Sequence, residues 1–525
     1  MKAYREIDKI CRNFHAATAA QFPITSASDE FFYFPQVSSP DKDWSHWDDF
    51  SEDAVNTYAR RLASYETALD RTRCHREYSI GLDQETQIDF PLLKNAITTL
   101  REQLTEVRSW ERQPTFHLTI ACLGIAEALE ADDRHAGEAR AKSLPQFIAT
   151  AMQVLKDMPM LFRDLGLTML VETRDYFRHL SKQIPTLKSS LSKLADFEHF
   201  LIHAKTQPDF CLPRTLIDKV IQNHLGCRQD IPSIQNLLES EIHDMQAILK
   251  QQADAARPGL PWEALLADIP LPMMPSGGLL SLYENQIQEL AEHCLALGIL
   301  SERMLRQCPV QVLPVPSFLS AIRTASSYSI KPHHPPSGGI FYVINADQPG
   351  EARQAYQREF RILSAHETYP GHHFLDSERL NLESPLRRCM ERPLFYEGWA
   401  CFAEQLMQWS GYLHRAEDTL LLARRRLWRA VRGKVDLGLQ TKTMGFESAV
   451  ECLADTGIDQ DEAAGVVRKY PLNPGYQLCY TLGFKQFEAL FRSFGQHDVK
   501  GFVRQVVTQG EIGFDDLSRI LKIVS

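Results

Sequence analysis

The residues best suited to chemistry lie in the segment HETYPGHH, at positions 366–373. Zinc hydrolases often carry two histidines four positions apart on a helix, because both then lie on one face and can bind one ion. Here the fourth position after His366 is Pro370. Proline and glycine bend or break a helix, so Pro370 and Gly371 can return a later histidine to the metal. The segment predicts His366 as a zinc ligand and Glu367 as the catalytic base.

Two histidines are candidates for the second ligand. On an unbroken helix His372 would lie about 120° around the axis from His366, and His373 about 10 Å further along it, so neither could share the ion. A two-residue insertion brings back His372, which we favour, while His373 stays an alternative ligand. Incidental histidines at a helix end are the other interpretation. It is disfavoured because three of only 18 histidines in 525 residues fall within eight positions.

A third protein ligand is expected on another helix, because catalytic zinc keeps three protein ligands and one open position. Large apolar residues recur at spacings of four and three in ERPLFYEGWACFAEQLMQW, as on a buried helix face: Phe395, Trp399, Phe402, Leu406 and Trp409. Glu397 and Glu404 lie seven apart and share a face. A carboxylate among aromatic residues is costly unless paired or metal-bound. We predict Glu397 as the ligand and Glu404 as its supporting residue, which orients a histidine. Two carboxylates on a solvated helix face are the alternative.

At these residues the sequence resembles a large bacterial family, long labelled a domain of unknown function. HETYPGHH and EGWACFAE are similar to its HExxPGHH signature and its downstream EGWAxYxE motif, and the resemblance covers at least residues 320–485. The family is regarded as belonging with the gluzincin metallopeptidases, helical enzymes with two histidines and one glutamate as ligands. The resemblance implies that Zn²⁺ is bound by His366, His372 and Glu397, with Glu367 as the base.

Further segments resemble family motifs in order. RRRLWRAVRGKVDLGLQ is similar to an Arg-rich helix with Asp-x-Gly, here Asp436 and Gly438. KYPLNPGYQLCYTLG is similar to an element that places Tyr480 at the family's tyrosine, although Tyr476 stands where glutamine is usual. Gln440 likewise stands where histidine is frequent. Periodicity alone would make Tyr480 a core aromatic. The resemblance implies that Tyr480, or alternatively Tyr476, donates a hydrogen bond to the developing oxyanion.

The segment SSYSIKPHHPPSGGIFYVIN resembles the strand region of the family upstream of the metal helix. Its β-branched and aromatic residues predict a strand from Ile340 to Ile344. By analogy, this strand could pair with an extended peptide through its edge. Tyr342, Asn345 and Tyr476 are therefore candidates for substrate binding.

The order of elements predicts a mainly α, gluzincin-like protein with a small β-sheet beside the metal-binding helix. Apolar residues at three- and four-residue spacing predict helices in the first half. The clearest segments are Glu52 to Leu69, Phe90 to Arg112, Leu144 to Leu161 and Ile234 to Ala255. We predict a helical scaffold lobe over residues 1–260, forming a cleft wall, and a metal-binding catalytic lobe over 261–525, within one continuous family domain.

Composition restricts partners and compartment. The net charge is −10, and the run Arg424-Arg425-Arg426, expected on a solvated helix face, is too short for a nucleic-acid surface. Eleven cysteines are scattered without a CxxC pair, the N-terminal segment lacks an apolar core, and no run of about 18 apolar residues occurs. We predict no nucleic-acid or membrane partner and a cytoplasmic location; the pattern specifies no oligomeric state.

Together these features predict a zinc-dependent hydrolase of peptide or amide bonds that acts on short peptides. Glu367 would serve as general base toward a water molecule activated by zinc. Two alternatives stay open: hydrolysis of a non-peptide amide in a small metabolite, and a metal-binding scaffold without turnover. The intact Glu367 favours hydrolysis, because a binding-only zinc site needs no carboxylate beside its first histidine.

Overall fold

A computed structural model describes residues 2–28, 30–37, 45–74, 84–130, 133–315, 326–343, 354 and 357–524. Within these residues the protein is mainly helical, with one small three-stranded sheet. This confirms the fold class predicted from the sequence. None of the described helices is both long enough and apolar enough to cross a lipid bilayer.

The chain divides into two compact units. The first comprises the chain up to Leu212 together with Ser384–Glu391, and the second comprises most of the chain from Pro213 onward. We predict a boundary between residues 260 and 261, so the observed division lies earlier. The helix Ile231–Ala256 explains the difference, because it packs along Ala416–Gln440 within the second unit.

The first unit is built on helices with a continuous aromatic and aliphatic core. Its helices up to Leu212 are α1 Lys2–Gln21, α2 Glu52–Cys74, α3 Gln84–Glu102, α4 Ser109–Arg112, α5 Pro114–Glu130, α6 Arg134–Val154, α7 Met160–Leu180 and α8 Lys188–His203. Two predicted helices are shorter than expected. A π-helical turn over Gln103–Val107 and a left-handed Arg108 separate α3 from α4, and α6 ends before α7 begins.

Helices of the second unit surround the sheet and the motif segments. The remaining helices in chain order are α9 Arg214–Lys219, α10 Ile231–Ala256, α11 Trp262–Ala267, α12 Gly278–Ala296, α13 Glu302–Gln307, α14 Phe360–Glu367, α15 His372–Leu380, α16 Pro385–Cys389, α17 Pro393–Trp409, α18 Ala416–Gln440, α19 Phe446–Ala454, α20 Gln460–Val467, α21 Leu478–Phe494, α22 Val499–Val507 and α23 Phe514–Val524. Of these, α16 belongs to the first unit. Helix α10 begins where Asp230 accepts a hydrogen bond from the Ser233 N–H, a standard N-cap.

The sheet consists of β1 Val310–Pro314, β2 Ser327–Ile330 and β3 Gly339–Val343, in the order β1-β3-β2. Strand β3 pairs in parallel with β1 and antiparallel with β2, so Phe341 lies between Val312 and Tyr328. Both backbone edges of β3 are therefore occupied. Our prediction that a peptide adds to this strand is wrong, because strand addition needs a free edge. Ile344 and Asn345 lie outside the described residues.

Helices α17 and α21 approach each other at two glycines. A Cβ atom on Gly398 would lie 2.5 Å from the Cα of Gly483, and a Cβ atom on Gly483 would overlap the carbonyl oxygen of Leu394. The predicted apolar face of α17 is buried except at its last residue. Trp409 is 42% exposed, because it lies at the helix end, where its ring stacks on Phe491. The glycine pair sets the distance between the two helices.

We expect Gly483→Ala to lower the free energy of unfolding by about 2 kcal/mol or more, since the methyl group would meet backbone atoms that cannot move independently. The matched control is Gly465→Ala on α20, where no atom lies within 4 Å of the new Cβ. That change should leave stability equal or higher, because alanine favours helix. Urea unfolding of both variants tests this. Equal stability of the two would contradict the close contact.

Candidate metal centre

The helix is interrupted between α14 and α15, at Pro370 and Gly371. The backbone passes so close to α14 that a Cβ atom on Gly371 would overlap the carbonyl oxygens of His366 and Ala365. The Trp399 indole N–H donates a hydrogen bond to the Pro370 carbonyl oxygen at 2.8 Å. The break thus needs glycine for its close approach and is held by a buried tryptophan of α17. It starts a new helix at the second histidine of the motif.

Three buried side chains converge across this break: His366 at the end of α14, His372 at the start of α15 and Glu397 in α17. One donor atom from each lies within 4.8 Å of the others. Glu397 Oε2 lies 3.7 Å from His366 Nε2 and 3.6 Å from His372 Nε2. Tetrahedral zinc with bonds of about 2.1 Å would hold its donor atoms about 3.4 Å apart.

The donor set fits a zinc ion chemically, and the two distances from Glu397 to the histidines fit it by spacing. Two imidazoles and one carboxylate form a known catalytic ligand set. Among the described residues, Glu397 Oε2 is buried without a hydrogen-bond partner, which is costly for a carboxylate oxygen unless a cation lies beside it. Burial raises the pKa of Glu397, but the nearby His372 outweighs that effect and lowers the pKa to about 2. An ionised Glu397 is therefore ready to act as a ligand.

Glu404 orients the first histidine. Its Oε1 lies 3.0 Å from His366 Nδ1, and Arg429 contacts both carboxylate oxygens at 2.7 Å. Arg425 Nη2 lies 3.4 Å from Oε1 and donates through Nη1 to Glu359 at 2.6 Å. Burial raises the pKa of Glu404, but the charges of Arg429 and Arg425 hold it well below its usual range. An ionised Glu404 can accept the Nδ1–H of His366, which leaves Nε2 to face the other two donor atoms.

His372 is positioned by an aromatic ring. The Tyr396 ring stacks on its imidazole with centroids 4.0 Å apart and planes 22° apart. The Tyr396 hydroxyl donates to Asp376 Oδ2 at 3.1 Å, and Arg379 donates to Asp376 Oδ1. Burial lowers the pKa of His372, but the nearby carboxylate of Glu397 outweighs this effect and raises the pKa. Within the described residues His372 Nδ1 has no hydrogen-bond partner, so stacking on Tyr396 orients this histidine.

His373 points away from the cluster. Its Nε2 lies 2.9 Å from the Cys308 carbonyl oxygen, and its Nδ1 lies 3.1 Å from the Tyr328 hydroxyl in β2. Burial lowers the pKa of His373 to about 4, so the ring is neutral. A neutral ring that donates through Nε2 and accepts through Nδ1 satisfies both contacts. The structure therefore uses His373 to attach α15 to the sheet and leaves His372 for the cluster.

Glu367 is buried at the last position of α14, directly after His366, and interacts electrostatically with His372 and Glu397. It is not a member of the donor cluster itself. Burial raises the pKa of Glu367 to about 7, with a further increase from the charge of Glu397 that the charge of His372 opposes. A carboxyl group with this pKa can accept and release a proton near neutral pH.

Both predicted tyrosines lie against the ligand carboxylate. The Tyr476 hydroxyl donates to Glu397 Oε1 at 2.8 Å. Burial and the charge of Glu397 raise the pKa of Tyr480 well above its usual value. Tyr342 is buried in the central strand, and its role in substrate binding stays a prediction. Asn345 is outside the described residues.

The Asp-x-Gly motif supports the turn that carries Tyr476. Asp436 Oδ2 accepts a hydrogen bond from the Gln477 backbone N–H at 3.1 Å, and the Gly475 N–H also bonds to this carboxyl group. Gly475 has a φ of +81°, a conformation that favours glycine. Asp436 on α18 thereby holds the turn that places the Tyr476 hydroxyl on Glu397.

Our prediction that Arg424-Arg425-Arg426 lies on a solvated helix face is wrong. Arg424 and Arg425 pair with Glu359, and Arg426 pairs with Glu241. These side chains are largely buried, because α18 is enclosed by other helices. Sequence reasoning also missed Arg429 and Tyr396. The four-residue spacing of Arg425 and Arg429 was a usable signal, since it places two cations on one helix face.

Comparison with known proteins places the chain among proteins without an assigned activity. A family described as "Bacterial protein of unknown function (DUF885)" matches residues 159–521. No curated protein matches the sequence. One similar structure is a "putative lipoprotein of unknown function from Shewanella oneidensis", with a TM-score of 0.76, 16% identity and coverage of 98% of this chain and 99% of that one. A "putative lipoprotein from Colwellia psychrerythraea" has a TM-score of 0.76, 17% identity and coverage of 100% and 99%.

These structures share the fold over the whole chain. Their description as lipoproteins contradicts the cytoplasmic location that we predict from the sequence. A chain of this size buries a core large enough to fold without disulfides, so the scattered cysteine pattern restricts the compartment only weakly.

Loss of a residue that only hydrogen-bonds to a metal ligand typically weakens metal binding roughly 10–100-fold. We expect loss of His366, His372 or Glu397 to weaken zinc binding by more than this. Glu404→Gln should fall within that range. His373→Ala should keep the zinc stoichiometry but lower the melting temperature, since its contacts are structural. Zinc content after dialysis against graded chelator tests this. If His373→Ala loses zinc and His372→Ala retains it, the assignment is wrong.

The buried Asp436 predicts a pH dependence of stability. Burial raises the pKa of Asp436 to about 7, whereas the unfolded value is about 4. The folded protein keeps a proton that the unfolded chain releases in this window, so the group costs stability as pH rises through it. Asp436→Asn, which stays neutral and keeps an acceptor, should gain stability relative to the natural protein by about 2 kcal/mol between about pH 5 and about pH 8. The free energy of unfolding of both proteins is measured in urea at each pH. If the difference between them is the same at every pH, the expectation is wrong.

Proposed function

The chain belongs to the DUF885 family of bacterial proteins of unknown function, and we propose that it is a zinc-dependent hydrolase of peptide or amide bonds in short substrates. The observation that carries the proposal is the buried cluster of His366, His372 and Glu397, whose donor atoms lie within 4.8 Å of one another. Glu367 directly follows the candidate ligand His366 in the chain and does not belong to the cluster, which leaves its carboxyl group available as a general base.

The placement of Glu367 favours hydrolysis over a metal-binding scaffold. A structural zinc site is closed by four protein ligands, whereas three ligands leave a position open for substrate. Among the described residues the cluster has three members. A buried carboxyl group costs free energy, and a site that only holds metal gains nothing from Glu367.

Zinc, when bound, would supply Lewis acidity that polarises the scissile carbonyl and lowers the pKa of an attacking water molecule. Glu367 would accept a proton from this water as its oxygen bonds to the carbonyl carbon. The same carboxyl group would then give the proton to the amide nitrogen as the C–N bond breaks. A pKa near neutrality suits both steps.

Of the two tyrosines, Tyr480 is the better oxyanion donor. The Tyr476 hydroxyl is used by Glu397 in a 2.8 Å hydrogen bond, which fixes the orientation of that ligand. The high pKa of Tyr480 keeps its hydroxyl protonated, and a protonated hydroxyl can donate to the oxygen where negative charge develops. Loss of such a donor costs about 3 kcal/mol.

We expect Glu367→Gln to bind zinc with unchanged stoichiometry and to lose on the order of 1,000-fold in kcat, because the amide cannot accept the proton from water. The control is Glu378→Gln on α15, a partly buried carboxylate outside the donor cluster. It should keep full activity. Zinc content and hydrolysis of a panel of dipeptides and N-acyl amino acids are the measurements.

Zinc-loaded Glu367→Gln protein that hydrolyses the panel as fast as the natural protein would refute the mechanism. Natural protein with one zinc per chain and no hydrolysis of any panel member would favour the metal-binding scaffold instead.

A further inference from the structure

Helix α18 carries five arginines near the candidate centre, and one of them differs from the rest. Four have carboxylate partners: Arg424 and Arg425 with Glu359, Arg426 with Glu241, and Arg429 with Glu404. Arg432 instead donates from Nη2 to the neutral side-chain oxygen of Gln477. Within the described part of the chain, Arg432 has no salt bridge, and its Nε is buried without a hydrogen bond.

The neighbouring carboxyl group does not supply the missing charge. Asp436 follows Arg432 by one helical turn, but the two form no salt bridge, and its Oδ2 accepts the Gln477 backbone N–H. Burial raises the pKa of Asp436 to about 7, so this group carries less than a full charge at neutral pH. A partly buried guanidinium without a directly paired carboxylate is costly, even though the charge of Glu397 also acts on Arg432. The cost is lowered if a bound ligand supplies the anion.

Aromatic rings hold the Arg432 guanidinium in place. Its Cζ lies 4.2 Å from the ring centroid of Trp428, 4.6 Å from that of Tyr480 and 5.9 Å from that of Tyr470. Such contacts stabilise the cation and restrict its orientation. The N–H donors lie in the guanidinium plane and match a planar carboxylate in two parallel hydrogen bonds. Arg432 is thus ordered before any ligand binds.

Arg432 also lies next to the candidate metal centre. The Tyr480 ring that it contacts lies against the ring of Tyr476, with centroids 6.0 Å apart, and the Tyr476 hydroxyl donates to Glu397. Arg429, one turn earlier on α18, binds Glu404 and lies near His366. An anion held by Arg432 would therefore lie beside the tyrosine pair that contacts the candidate ligand Glu397.

We propose that Arg432 binds a free carboxylate of the substrate, so that the preferred substrates are amides formed on the nitrogen of an α-amino acid whose carboxylate is free. In these compounds the carboxylate and the leaving nitrogen are attached to the same carbon. Recognition at Arg432 would therefore place the scissile amide at the donor cluster. This inference rests on the proposed hydrolytic function. It narrows the substrate to dipeptides, C-terminal residues of short peptides, or N-acyl amino acids.

The test compares each substrate with its carboxamide, which removes one negative charge and little else. Zinc-loaded natural protein should hydrolyse dipeptides and N-acetyl amino acids with kcat/KM on the order of 100-fold above that for the matched carboxamides. Arg432→Gln should lose this preference, mainly through a higher KM for the free acids, and should leave the carboxamides nearly unchanged. The two free-acid series distinguish a peptide from an N-acyl amino acid as the source of the carboxylate.

Two further variants separate recognition from structure. Arg426→Gln removes an arginine of the same helix that is paired with Glu241, and it should retain the preference for free acids. Arg432→Lys keeps the charge without the paired donors and should retain part of it. If Arg432→Gln lowers hydrolysis of free acids and carboxamides equally, the residue is structural and the proposal fails.

A binding measurement keeps this inference separate from the hydrolytic function. Calorimetry on zinc-loaded Glu367→Gln protein should detect N-acetyl amino acids and not their amides, and the added Arg432→Gln change should abolish that binding. Binding without turnover by the natural protein would refute the hydrolase and support the carboxylate site. If the natural protein hydrolyses or binds free acids and carboxamides equally well, the carboxylate site is refuted. The proposed hydrolytic function is not affected by that result.

Discussion

The buried carboxylate of Glu404 is the interaction on which the candidate centre depends. It joins three helices, because it lies on α17, pairs with Arg425 and Arg429 of α18, and accepts the His366 imidazole of α14. Burying such a network costs desolvation free energy that apolar packing would avoid. What it provides is geometry: His366 is restricted to one tautomer and one orientation, with Nε2 toward the other two donors.

Backbone contacts set the remaining dimensions of the centre. Gly371 allows the chain to turn back against α14, and the Gly398–Gly483 contact brings α17 and α21 together. Each contact has no room for a side chain. Consequently Glu397, next to Gly398, reaches the two histidines on one side and Tyr476 on the other. Motif residues that carry no reactive group thus control where the reactive groups lie.

The charges around the centre are arranged unevenly. Two arginines keep Glu404 ionised, while Glu367 forms no salt bridge within the described residues and burial raises its pKa to about 7. Two carboxyl groups in one site therefore have different properties, one an anchor and one suited to proton transfer. Arg432 completes the pattern, because it is the cation of α18 without a carboxylate partner among the described residues.

The fold class and the position of the metal-binding segment could be predicted from the sequence by itself, because both depend on local residue spacing. Helical periodicity determined the mainly α fold, and the histidine-glutamate spacing with Pro370 and Gly371 marked the segment that breaks beside the donor cluster. Which strand edges are occupied and which residues pair with the arginines could be decided only from the tertiary structure. Strand β3 is central because β1, distant in sequence, pairs with its outer edge. The arginines of α18 are buried because glutamates from three other helical segments meet them there. His372 faces the cluster and His373 the sheet because the turn at Gly371 rotates α15, and that rotation is fixed by packing against α14, Trp399 and Tyr328, which no local pattern contains.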